Sequence, residues 1–173
     1  MNELERACDA IFSPCRTYRY VLRRRWDWSL PFCAFIGLNP STADETKDDP
    51  TIRRCIRFAK EWGYGGLVML NIFAFRATDP RDMLKADDPI GPQNDYHLMN
   101  QYWKSGIVIA AWGTKGGNRA DEVTGSLPTL HCLVKTKDGH PKHPLYVAAE
   151  TKPVIYSVSH QPRSLTDERT ERE

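Results

Sequence analysis

Asn39 lies in the stretch FIGLNPST, where four strand-type residues give way to a turn at Asn39-Pro40 and Ser41 and Thr42 follow. Asn71 closes a second apolar run, LVMLN, and Trp112-Gly113 close a third, IVIAAWG. A fourth run, LHCLV, leads to GHPKHPLY, in which His140 and His143 each precede a proline. Amide and imidazole side chains both donate and accept hydrogen bonds, so this set can hold a flat heterocycle or a water. Each member also has a plainer reading: Asn-Pro is a common turn dipeptide, Asn71 can bond its own backbone, and loop histidines are often surface groups. Position favours the chemical reading. If the four runs are strands of one parallel sheet, their ends face a single crevice, where open α/β sheets take their ligands.

Other chemistry-bearing groups are less specific. Arg53 and Arg54 fall in the first turn of a helix, close in sequence to Ser41 and Thr42, and guanidinium groups, hydroxyls and helix N-termini are the usual partners of phosphate. Solvated helix arginines fit the same pattern equally well. Asp44, Asp48 and Asp49 form no metal-ligand pattern, since no second carboxylate cluster accompanies them and Asp49 suits a helix cap. Lys115-Gly116-Gly117 lacks the spacing of a phosphate loop. Five cysteines, Cys8, Cys15, Cys33, Cys55 and Cys132, contain no CxxC pair, so we expect free thiols with neither disulfide framework nor zinc site. No metal and no cofactor is expected.

The elements that must position these groups alternate strand with helix. CAFIGL, LVMLN, IVIAAWG and LHCLV are short continuous apolar runs, as in strands buried on both faces. Between the first two, Asp49 caps a helix, Pro50 suits its first turn, and Ile52, Cys55, Ile56, Ala59 and Trp62 form its apolar stripe. Gly63 and Gly65-Gly66 stop it. Asn94 or Asp95 opens another helix, carrying Leu98, Met99, Tyr102 and Trp103, and a third follows the turn GTKGGN. The segment YRYVLRRRWDW, residues 18 to 28, reads as an edge strand with its arginines toward water. The long segment from Ile72 to Gln93 reads as a proline-punctuated loop with one helical turn. This alternation predicts an α/β fold: a three-layer sandwich around a mainly parallel central sheet.

The chain has 173 residues, net charge +2, 40% hydrophobic and 27% charged residues, which suits one folded domain. We expect that domain over residues 1–162 and a charged, disordered tail over 163–173. No apolar run reaches the ~20 residues of a membrane helix, and the acidic N-terminus lacks a signal-peptide core, so a cytoplasmic protein is expected with no membrane contact. Five arginines between Arg16 and Arg25 favour an anionic partner, although a solvated basic face is the commoner meaning.

The motifs GLNPSTAD, DDPTIRRC, FAKEWGYGG, NIFAFRATDP, IGPQND, AAWG and HPLY resemble those of a bacterial and phage family known as domain of unknown function 1643. Their order, with a Gly-x-Asn-Pro turn first and a His-Pro loop last, also resembles the uracil-DNA glycosylase superfamily more remotely. That second resemblance implies a glycosylase-like fold and DNA, another nucleic acid or a nucleotide as partner. It implies that Gly37, Asn39, Pro40 and Ser41 form the first motif, with Asn39 positioning the attacking water through an amide in place of the stronger carboxylate. Asn71 would read the edge of an extruded base. His143, or His140 in competition with it, would steady the departing base, and Leu145 would fill the space it vacates. Phe73, Phe75 or Trp112 would stack on the base, and Thr42, Arg53 and Arg54 would meet phosphate. Cleaving an N-glycosidic bond places positive charge on the sugar and negative charge on the base, so such a site needs donors aimed at the base and a held water. The amide also suits a second reading, a non-catalytic module that binds a modified base or nucleotide. A hydrolase with Ser41 as nucleophile is weaker, since no histidine partner lies near it in sequence.

Overall fold

A computed structural model describes residues 7–159. The charged tail at 163–173 and the first six residues lie outside the described residues. Seven strands form one sheet in the order β1-β2-β4-β3-β5-β6-β7. They are β1 (Cys8–Phe12), β2 (Arg19–Arg25), β3 (Phe32–Gly37), β4 (Gly66–Asn71), β5 (Ser105–Ala110), β6 (Thr129–Cys132) and β7 (Val154–Val158). The described residues also form four α-helices: α1 (Pro50–Glu61), α2 (Pro80–Leu84), α3 (Asn94–Lys104) and α4 (Gly117–Ser126). None of them is long and apolar enough to cross a membrane.

The fold is α/β, but the sheet is mixed and not mainly parallel. β3 pairs in parallel with β4 and β5, and β5 with β6, whereas the β1–β2, β2–β4 and β6–β7 pairings are antiparallel. The four apolar runs do form the parallel centre. Their alternate residues face two cores: Ala34, Ile36, Val68 and Leu70 pack with Leu98 of α3 and Val123 of α4, while Cys33, Phe35, Leu67 and Met69 pack with Ile52, Cys55 and Phe58 of α1. Strand periodicity of two divides each run between the faces, which is why β3 and β4 are apolar over almost their whole length.

The segment from Tyr18 to Trp28 is not an edge strand with solvated arginines. β2 is bonded on one side to β1 and on the other to β4, and Arg19 and Arg24 are only 2% and 5% exposed. Backbone oxygens and acids make this burial affordable. Arg24 Nε donates to Asp48 Oδ1 at 2.9 Å and its Nη2 to the Asp44 carbonyl at 2.6 Å, while Arg19 Nη1 donates to the Ala43 carbonyl at 2.8 Å.

Helix α1 begins as its sequence dictates: the Asp49 carboxylate accepts from Ile52 N at 2.9 Å, and Gly63 at φ 80° ends the last turn. Its buried stripe includes Phe58, with Ile56 and Trp62 only partly covered. Helix α3 departs from expectation. Neither Asn94 nor Asp95 caps it; Asn94 Nδ2 donates to the carbonyls of Asn71 (2.9 Å) and Ile72 (3.1 Å), and Asp95 pairs with the buried Arg119. Trp103 faces solvent at 67% exposure. The segment after β4 is ordered by backbone bonds from Ile72 to Gly37 and from Phe73 to Leu38, and Asp79 caps the short helix α2 within it.

Candidate functional site

At the carboxyl ends of β3, β4 and β5 the structure contains a cavity of about 180 Å³. Gly37, Asn39 and Ser41 reach it from the β3 end, Asn71 from the β4 end, Trp112 from the segment after β5, and His143 from the loop after β6. The strand ends converge because β3 lies between β4 and β5 in parallel register, with Gly37 opposite Asn71.

Asn71 is 1% exposed, and among the described residues neither its Nδ2 nor its Oδ1 has a hydrogen-bond partner. An unpaired buried amide costs about 1–3 kcal/mol per group, so folding alone does not favour it. Its place depends on Gly37. A Cβ there would stand 2.9 Å from Asn71 Oδ1 and 2.7 Å from Met69 Cε, so only glycine lets this amide lie across the end of β3. From behind, Asn94 holds the Asn71 backbone carbonyl, and Arg119 Nε donates to the Ile72 carbonyl at 3.0 Å.

Asn39 is fixed differently. Its Nδ2 donates to the Ala77 carbonyl at 2.8 Å and to the Pro40 carbonyl at 3.1 Å, so Oδ1 is the part of this amide left to accept from a ligand or water. His143 Nδ1 accepts from Leu145 N at 3.3 Å, which places the proton of the neutral ring on Nε2. Burial lowers the His143 pKa from 6.5, opposed by the nearby Asp49 carboxylate, so the ring is neutral at pH 7 and donates through Nε2. Trp112 is 2% exposed with its indole Nε1 unpartnered, and it meets Tyr156 edge-on.

The remaining expected residues are not on the cavity wall. Pro40 is buried beneath the turn, Phe73 belongs to the α3/α4 core, and Leu145 is 44% exposed on the turn after His143. His140 lies in the turn from Thr136, its N–H donating to Thr136 Oγ1 at 3.1 Å. Thr42 lines a separate open groove of about 670 Å³ with Ser41, Arg16, Lys47, Phe75 and Arg76. Arg53 and Arg54 line neither space: their guanidinium groups donate to the carbonyls of Asp48 and Val147. Among the described residues no three His, Cys, Asp or Glu side chains gather as metal ligands. Asp44 closes its own turn through Thr46 N and Lys47 N, and Asp48 meets Arg24.

Both charged side chains on the cavity wall, Asp49 and Arg19, went unrecognised as site residues in the sequence. Among the described residues Asp49 is the one carboxylate on the wall, and its capping role had accounted for it fully. Arg19 comes from β2. Because β2 runs antiparallel to β4, its first residue sits beside the segment that follows β4, as the bond from Arg19 N to the Ala74 carbonyl records. No motif marks Arg19, and only the pairing of β2 brings it to the site.

No curated protein and no solved structure matches this chain. A family model does match, over residues 19–145, a span that contains every cavity residue named above. The chain belongs to the family described as Protein of unknown function (DUF1643).

Proposed function

We propose that the cavity at the ends of β3, β4 and β5 receives a nucleobase, and that the protein hydrolyses the N-glycosidic bond of a damaged or modified base in DNA, in the manner of the uracil-DNA glycosylases it remotely resembles. One observation carries this reading: the Asn71 amide, fully buried and unpartnered, opens on a cavity shared with Asn39 and His143. A donor and an acceptor on one rigid group are what the edge of a base requires. The volume of about 180 Å³ falls below the ~300–1,000 Å³ typical of drug-sized ligands, which suits a single flat ring with its sugar outside.

In the reaction, a water oxygen bonds to the sugar carbon as the C–N bond breaks and its electron pair leaves with the base. Asn39 Oδ1 holds the water. Asp49, as the sole wall carboxylate, accepts its proton, since an amide cannot. His143 Nε2–H and the Asn71 Nδ2 donor stabilise the charge on the departing ring.

The test is incubation with single- and double-stranded oligonucleotides bearing uracil, mismatched, deaminated or hypermodified bases, followed by alkali. Strand breaks at the modified position are expected. Their absence on every substrate, with a known glycosylase active in parallel, rejects the hydrolytic reading. A second reading, a binding module without catalysis, is favoured by the way Asn39 is tied through Nδ2 to Ala77, which also makes it a loop staple. Under that reading the protein retains modified oligonucleotides in a filter assay and releases no base, and Asn39→Asp leaves retention unchanged.

A further inference from the structure

The cavity wall contains a buried cation that the nucleobase reading does not use. Arg19 is 2% exposed, its Nη1 is engaged by the Ala43 carbonyl at 2.8 Å, and its Nε is buried with no partner. No carboxylate lies within ion-pair distance of it among the described residues. Burial lowers its pKa to about 10, partly offset by Asp49, so it remains a cation throughout the neutral range. A charge withdrawn from water without a salt-bridge partner is costly, and a ligand that supplies the missing negative charge removes that cost.

We propose that Arg19 makes this cavity selective for a ring that carries negative charge, so that its preferred ligand is a heterocycle whose ring N–H ionises easily, or the anion left when such a base departs. The proposal rests on the nucleobase reading of the cavity and names the chemical class of the base. It also accounts for an enzyme with an amide at position 39: a base that is neutral while attached and departs as a stabilised monoanion needs less activation of the water.

The charged groups around Arg19 come from every side of the site. Arg24 shares its strand, Asp44 and Asp49 lie in the loop before α1 and at its cap, Arg76 follows β4, and His143 completes the wall. Asp49 opposes an anion, but one of its oxygens is bonded to the Ile52 amide, where the N-terminal end of α1 draws on its charge. Burial lowers the His143 pKa from 6.5, so the ring is mostly neutral at the lower pH and changes above it report chiefly the ligand.

The experiment compares uracil with 6-azauracil, a ring of nearly the same shape whose N–H ionises near neutrality, by isothermal titration calorimetry at about pH 6.5 and about pH 8.5. On the wild-type protein, 6-azauracil is expected to gain up to about fourfold in affinity between the two, the rise in its ionised fraction, with uracil nearly unchanged. Arg19→Lys should keep part of this gain. Arg19→Gln, verified as folded by its circular dichroism, should lose it while still binding uracil. Equal affinities of the two rings at both pH values in the wild type overturn the anion preference and leave the nucleobase reading in place, as does a full gain in folded Arg19→Gln. Binding of neither ring at either pH overturns both.

Discussion

Asn71 is held where folding alone would not put it, and that makes its replacement informative in two directions. Asn71→Leu removes two unpartnered polar atoms from a 1% exposed site while nearly preserving volume, so urea denaturation should show stability unchanged or raised by about 1 kcal/mol. Base or oligonucleotide binding by the same variant should be lost. A loss of stability of several kcal/mol would show instead that the amide is a structural group. Gly37→Ala probes the same contact from the other strand. Its methyl would meet Met69 Cε and Asn71 Oδ1, so a cost of about 1–3 kcal/mol is expected with weakened binding, and wild-type binding would refute the fit between Gly37 and Asn71. The amides were legible in sequence because each ends an apolar run. Arg19 was not, because an arginine between two tyrosines in a β-rich stretch looks the same whether its strand is at an edge or inside a sheet.

At the level of elements, helix α1 contributes its cap to the site as well as its apolar face to the core. Asp49 combines two roles, capping and charge, which substitution can separate. Asn caps as well as Asp, so Asp49→Asn should stay within about 0.5 kcal/mol of wild-type stability, whereas Asp49→Ala should lose about 1 kcal/mol in chemical denaturation. If base release is observed, Asp49→Asn should abolish most of it at unchanged binding, and an unaffected rate would remove Asp49 as proton acceptor. Helix α3 shows why capping signals mislead. Asn94 has the residue type of a cap at the place of a cap, yet its side chain is drawn to the orphan carbonyls at the end of β4, and Gln93 is left at the cap without a side-chain bond. Local propensity yielded there to a buried acceptor that only the assembled sheet creates.

For the whole molecule, the strand and helix order was readable from the centre outward. β3 and β4 and the end of β5 are apolar and buried and stand out, whereas β6, TLHC, is half-buried with Thr129 and His131 among its residues. β1 and β7 are short flanking strands, partly exposed, and their antiparallel pairing, with that of β2 on β4, turns the sheet from mainly parallel to mixed. The antiparallel placement of β2 has the greater consequence, since it brings a charged residue to the carboxyl ends where a parallel strand would have brought its last residue. The finished interior also buries titratable groups in one sense. Burial lowers the pKa of His97, His131 and His143 below 6.5, with Arg23 adding to the effect at His97 and Asp49 opposing it at His143. Each folded-state pKa is depressed, so well above pH 7 neither state binds these protons and stability is complete. As pH falls through 6.5 and toward the lower native values, the unfolded chain takes up protons that the native protein does not. The urea midpoint should therefore fall steadily from pH 7 to pH 5. Replacing His97, stacked on Tyr20 at 5.0 Å, with Phe should flatten that slope, because it keeps the ring contact and removes one of the three protons; an unchanged slope would assign the acid loss to other groups.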